Sequence, residues 1–81
     1  MKILITGSAG FIGFNLAKNL IKNKKYIVIG IDNFDKYYDV GLKKRRNKIL
    51  LKSKNYKFYK INILDKNKLE NLFKKHKFDF V

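Results

Sequence analysis

The glycines of Thr6-Gly7-Ser8-Ala9-Gly10-Phe11-Ile12-Gly13 are spaced for work on a diphosphate. Gly7 can make a tight turn, Gly10 can let a pyrophosphate approach the main chain, and Gly13 can let a following helix pack closely on a preceding strand. The N–H groups around Phe11 and Ile12 then meet the phosphates at the positive end of that helix. A glycine triplet alone also fits an ordinary strand-to-helix turn. Asp32 adds the second half of the pattern: about 20 residues past the last glycine, a carboxylate can accept hydrogen bonds from both hydroxyls of an adenosine ribose. It also repels a 2′-phosphate, which favours NAD over NADP.

This chemistry needs a strand before the loop, a helix after it, and a second buried strand ahead of the acid. Lys2 to Thr6 (KILIT) is a short aliphatic run, as expected of a strand buried on both faces. From Phe11 to Asn23, Ile12, Leu16, Ala17, Leu20 and Ile21 recur at helical steps, with Lys22, Lys24 and Lys25 near the C-terminal end that favours cations. Tyr26 to Ile31 (YIVIGI) reads as the second strand, which completes a βαβ unit with Asp32 just past it.

A polar-aromatic loop, Asn33 to Asp39, leads to a basic helix over Val40 to Leu51, capped by Asp39 and carrying sparse apolar positions at Leu42, Ile49 and Leu50. Tyr56 to Ile61 reads as a third, more amphipathic strand nearer an edge. Asp65 fits the N-cap of a helix over Lys66 to Lys75 with Leu69, Leu72 and Phe73 on one stripe. Phe78 to Val81 begins a fourth strand.

At 81 residues the chain allows one domain at most, and less than a complete doubly wound enzyme. A hydrophobic content of 46% nevertheless predicts packed structure. There is no cysteine, and His76 stands alone, so no metal site is expected. The aliphatic run before Thr6 is too short for a signal peptide and no apolar run can span a bilayer, so a cytoplasmic protein with no membrane partner is expected. The net charge of +14 suggests a nucleic-acid binder, but the lysines are scattered and only Lys43-Lys44-Arg45-Arg46 is dense. That distribution argues for solvated faces and against a nucleic-acid partner.

The loop Thr-Gly-x-x-Gly-Phe-Ile-Gly resembles that of the extended short-chain dehydrogenase/reductase superfamily, in particular its NAD-dependent nucleotide-sugar epimerases and dehydratases. Asp32-Asn33-Phe34-Asp35-Lys36-Tyr37-Tyr38-Asp39-Val40 with Leu42-Lys43, then Leu69 to Phe73 (LENLF) and Phe78-Asp79, are similar to the corresponding segments of UDP-glucuronate 4-epimerases. The resemblance covers the whole chain, but only about the N-terminal quarter of such an enzyme. It implies that Gly7, Gly10, Phe11, Ile12 and Gly13 hold the pyrophosphate of NAD, with Asp32 and Asn33 at the adenosine ribose and Lys43 nearby. Lys43 reads equally well as one of many solvated lysines. Where the family usually has an Asp for the adenine amino group, this chain has Asn62, followed by the aliphatic Ile63; Asn still offers a carbonyl acceptor.

Such enzymes use a Tyr-x-x-x-Lys pair for proton transfer. Tyr56 and Lys60 have that spacing, yet on a strand four residues span about 13 Å where helical spacing gives about 6 Å, so both are assigned to the sheet. No catalytic residue is therefore expected within Met1 to Val81.

The fold expected is α/β: residues 1–81 as the N-terminal part of a single NAD-binding Rossmann domain, a βαβαβαβ parallel sheet of strand order 3-2-1-4 without a substrate domain. The function implied is the NAD-binding portion of an enzyme converting UDP-glucuronate to UDP-galacturonate by transient oxidation at C4, with a nucleotide sugar as partner of the full-length parent and a homodimer left open. The 81-residue chain itself is expected to bind NAD weakly and to lack epimerase activity. A 4,6-dehydratase or decarboxylase of the same superfamily, a small basic nucleic-acid-binding protein and a non-catalytic NAD sensor are the alternatives.

Overall fold

A computed structural model describes residues 1–34 and 40–81. Its elements run β1 (Lys2–Thr6), α1 (Phe11–Leu20), β2 (Ile27–Asp32), α2 (Val40–Leu51), β3 (Tyr56–Lys60) and α3 (Lys66–Lys75). The expected Asp39 cap lies outside the described residues.

The strands form a parallel sheet in the order β1-β2-β3, with Ile3 opposite Val28 and Ile31 opposite Tyr59. Strand β2 is central, and the amphipathic β3 lies at the edge of this sheet, as its pattern predicts. Beyond β1, Phe80 forms a single parallel bridge to Ile3, and the Leu4 N–H donates to the Phe80 carbonyl at 2.9 Å. The expected strand over Phe78 to Val81 is present only as this bridge.

Side-chain alternation divides the core between the two faces of the sheet. Ile3, Ile5, Val28 and Tyr56 meet Ala17 of α1 and Leu50 of α2 on one face; Leu4, Ile29, Ile31 and Ile61 meet Leu72 of α3 on the other. The same parity puts Gly30 and Asp32 on the α1–α2 side. A Cβ on Gly30 would collide with the Tyr56 hydroxyl and lie 2.5 Å from Ser8 Oγ, so this position is glycine because two polar side chains cross over it. Burial raises the pKa of the Tyr56 phenol, offset in part by the Ser8 hydroxyl, which forms no full hydrogen bond to it.

Three local expectations are corrected. Helix α1 ends at Leu20 rather than Asn23, because Lys22 and Asn23 donate back to Asn19 and Leu20 in tightened turns and Asn23 Oδ1 accepts from the Lys25 N–H. The last of these turns takes the Tyr26 N–H as well, so β2 begins at Ile27 and includes Asp32 as its final residue, opposite Lys60. In α2 the buried positions are Asn47 and Leu50, whereas Leu42 and Ile49 are exposed. Asp65 caps α3 as expected, its Oδ1 accepting from the Lys68 N–H at 3.1 Å. Phe73 of the expected stripe is 46% exposed and meets the Phe78 ring edge to face.

His76, at the C-terminal cap of α3, is buried between Tyr59 and Lys2. Its Nδ1 lies 3.4 Å from the Lys2 ammonium, which can only donate, so Nδ1 accepts and Nε2 carries the proton, donating to Tyr59 Oη at 3.1 Å. Burial, then the charges of Lys2, Lys75 and Lys57, hold its pKa below the ordinary 6.5. A folded state that resists protonation is stabilised fully above that value and loses this contribution as the pH falls from 6.5 toward the lowered folded value. Denaturant midpoints should therefore fall between pH 7.5 and pH 5, and the fall should be smaller in His76→Gln. An equal fall in both proteins would remove His76 as the cause.

Candidate dinucleotide site

Strand β1 ends at Thr6, and the chain turns at once through Gly7, whose φ of +67° lies in the left-handed region. The Gly10 N–H donates to the Gly7 carbonyl at 3.0 Å, closing the turn. Gly13, one turn into α1, lies directly against it: a Cβ there would collide with the Gly7 carbonyl oxygen and sit 3.2 Å from Ser8 Cα. The missing side chain is what brings the helix terminus onto the loop. Gly10 is the N-cap and offers no side-chain cap, so the N–H groups of Phe11, Ile12 and Gly13 have no intrahelical acceptor. A helix end of this kind can receive an anion.

The N–H groups of Ser8 and Ala9, like that of Gly10, are spent inside the protein. Ser8 donates to the Ile31 carbonyl at 3.2 Å, and Ala9 donates to Asp32 Oδ2 at 3.0 Å. Asp32 is only 5% exposed. Its Oδ1 accepts from the Phe34 N–H at 2.8 Å and from Lys43 Nζ at 3.4 Å. The carboxylate thus faces the loop and is fixed by β2, by the loop and by α2 together.

The dense basic cluster divides. Lys43 and Arg46, three residues apart on α2, turn toward the loop; Lys44 and Arg45 are exposed to solvent. Lys43 accordingly lies against Asp32 rather than out in solvent. Arg46 was not among the residues singled out in the sequence, because its donor contact is to a backbone carbonyl, that of Ala9 at 3.2 Å.

Two clefts open around these groups and share Thr6, Gly7 and Lys43. The larger, about 1100 Å³, is lined at the loop by Gly10, Phe11, Ile12, Gly13 and Arg46, and extends along Met1, Leu20 and Tyr26. The smaller, about 510 Å³, is lined by Asp32, Asn33, Asn62, Ile63 and Leu64. All ten residues expected to contact a dinucleotide therefore line one or both clefts. Asn62 is exposed, and its Oδ1 accepts from the Leu64 N–H at 2.9 Å, so the acceptor expected to face adenine already carries one bond.

Tyr56 and Lys60 lie on β3, with Tyr56 buried under α2 and Lys60 exposed over the Phe34 ring at 5.9 Å. They do not meet at either cleft. Among the described residues no group of His, Asp and Glu could hold a metal ion, and no helix is long and apolar enough to cross a membrane.

The same architecture occurs in solved structures. The chain superposes with TM-score 0.84 on a UDP-glucuronic acid 4-epimerase from Bacillus cereus in complex with NAD, at 38% identity over 98% of this chain and 24% of that one. It is 46% identical to a UDP-glucuronate 4-epimerase of Thermodesulfobacterium geofontis, over 86% of this chain and 21% of the relative. It is 48% identical to a dTDP-D-glucose 4,6-dehydratase of Dictyostelium discoideum, over 99% of this chain and 18% of the relative. The chain thus spans a quarter or less of the length of these relatives. A family model described as GDP-mannose 4,6 dehydratase matches residues 4–81. With nearly every residue matched, the chain belongs to that family of nucleotide-sugar epimerases and dehydratases, within the short-chain dehydrogenase/reductase superfamily.

Proposed function

We propose that the chain is the NAD-binding portion of a nucleotide-sugar 4-epimerase that interconverts UDP-glucuronate and UDP-galacturonate. The observation that carries this reading is the meeting of the two clefts at Gly7, with bare helix N–H groups on one side and the Asp32 carboxylate on the other. That spacing suits a diphosphate beside an adenosine ribose.

The residues present fit NAD in detail. The absent Cβ of Gly13 allows the loop and helix end to form the anion cradle, and Asp32 uses three of about four carboxylate lone-pair sites within the protein, leaving acceptor capacity toward the smaller cleft. Gly10, Phe11, Ile12 and Gly13 would hold the diphosphate; Asp32, Asn33 and Lys43 would surround the ribose; Asn62 and Ile63 would border the adenine. When bound, NAD supplies a reversible hydride acceptor for oxidation at C4 of the sugar.

The catalytic pair is assigned outside these 81 residues, since Tyr56 and Lys60 serve the sheet. The bridge from Ile3 to Phe80 supports a fourth strand beside β1, in the order 3-2-1-4. In that order the sequence of strands reverses beside β1, which puts the cofactor crevice at its C-terminal end.

The relationship to a dTDP-D-glucose 4,6-dehydratase supports a second reading, in which the same NAD site serves elimination of water rather than epimerisation. Both readings require NAD. At a hundredfold excess over Kd, NAD should stabilise the intact protein by about 2.7 kcal/mol, and NADP by much less. UDP-glucuronate should then yield UDP-galacturonate; a 4-keto-6-deoxy product from dTDP-glucose would select the second reading. Salt-sensitive retention on DNA without stabilisation by NAD would overturn both.

A further inference from the structure

We propose that Arg46 is a positioning residue for the dinucleotide, acting through the Ala9 peptide on Asp32; this rests on the NAD reading above. Ala9 is fully buried, and its peptide groups are held at both ends. The carbonyl accepts from Arg46 Nη1 at 3.2 Å, and the N–H donates to Asp32 Oδ2 at 3.0 Å. The guanidinium in turn lies over two rings of α1, 6.0 Å from the Phe11 centroid and 5.9 Å from that of Phe14.

This arrangement joins three elements that contribute separately to the site. Phe11 and Phe14 belong to the helix whose end faces the diphosphate, Ala9 to the loop, and Asp32 to the strand that presents the ribose acceptor. Lys43, one turn earlier on α2, reaches the other oxygen of Asp32. Helix α2 thus grips the acid directly through Lys43 and indirectly through Arg46. Without Arg46 the buried Ala9 carbonyl loses its donor, and the Ala9–Gly10 peptide keeps its Gly10 N–H bond to Gly7 but loses its anchor on α2. The backbone angles of Ala9 that aim the N–H of the adjoining Ser8–Ala9 peptide at Asp32 are then less constrained.

A guanidinium that merely attracted the diphosphate would behave differently. Its contribution would be independent of Asp32 and would weaken in salt. A brace acting through Ala9 is coupled to Asp32, because Arg46 and Asp32 hold the two peptide units that meet at the Ala9 Cα.

The test is a double-mutant cycle on NAD affinity in the intact protein, using Arg46→Ala, Asp32→Ala and the pair, each at low and high salt. Arg46→Ala should weaken NAD about tenfold, and the double variant should be no weaker than Asp32→Ala alone, a coupling of about tenfold. Arg46→Lys keeps the charge and a donor but not the guanidinium fork and should lose about threefold, coupled to Asp32 in the same way; it carries the cycle if Arg46→Ala does not fold. Losses that add to within twofold, an unchanged affinity in Arg46→Ala, or an effect confined to low salt would each overturn the proposal. A wild-type protein that binds no NAD would sink the NAD reading itself, whereas binding with additive losses sinks only the role of Arg46.

Discussion

Gly13→Val is expected to abolish measurable NAD binding, a loss of about a hundredfold or more, while the sheet remains folded at reduced stability. The reason is local and steric. The first added carbon would occupy the position of the Gly7 carbonyl oxygen, and the backbone on both sides is anchored: Gly7 by the Gly10 N–H, and α1 by the buried Ala17. Relief requires the N-terminal turn of α1 to move off the loop, which removes the Phe11, Ile12 and Gly13 N–H groups from one another's line. Overpacking of this kind costs about 1–3 kcal/mol in stability, but the anion cradle is lost outright.

Gly7 provides the control, because nothing lies within 4 Å of a Cβ there and its φ of +67° is the whole constraint. Gly7→Asn should accordingly be tolerated better than Gly7→Val, since Asn enters the left-handed region at lower cost. Titration calorimetry with NAD, alongside thermal melts, separates the two mechanisms. Tight binding by Gly13→Val would mean that the helix end is not where the diphosphate sits.

The parts of this site that depend on local pattern were legible in the sequence. Strand β1 and helices α2 and α3 begin and end where aliphatic runs, periodicity and the Asp65 cap place them. The glycine spacing marks the loop because each glycine answers a constraint within a few residues of itself. What could not be read depends on contacts distant in sequence. Gly30 looks like an interruption in an apolar strand, and only the crossing of Ser8 and Tyr56 above it explains the missing side chain.

Arg46 and Lys43 sit in a basic run whose individual lysines and arginines are indistinguishable by composition. The helical phase that turns this pair inward is set by the buried Leu50 and the polar Asn47, and of the sparse apolar positions Leu42 and Ile49 are exposed. The sequence puts Asp32 one residue beyond its strand, whereas pairing with Lys60 and the Ile61 N–H bond to its carbonyl make it the last residue of β2. The fourth strand was read from Phe78 to Val81, and a single bridge at Phe80 is what the chain shows of it.

Asp32→Ala should weaken NAD by one to two orders of magnitude, about 1.4–2.8 kcal/mol, and most of the preference for NAD over NADP should go with it. Two effects are mixed in that variant. The ribose loses its acceptor, and the buried Ala9 N–H loses its partner, which by itself costs about 1–3 kcal/mol of stability. Asp32→Asn separates them. The amide keeps one oxygen able to accept from Ala9, so that loop contact survives, while its NH2 group faces the Phe34 N–H and the Lys43 ammonium in place of Oδ1 and the charge that opposes a 2′-phosphate is gone. The NAD:NADP affinity ratio should therefore fall at least about tenfold in Asp32→Asn, with a smaller loss of NAD binding than in Asp32→Ala. If the ratio stays at the wild-type value, charge at position 32 does not select the cofactor. In that case the carboxylate serves only to pin the loop, and discrimination against the extra phosphate must come from the shape of the cleft bordered by Asn33 and Asn62.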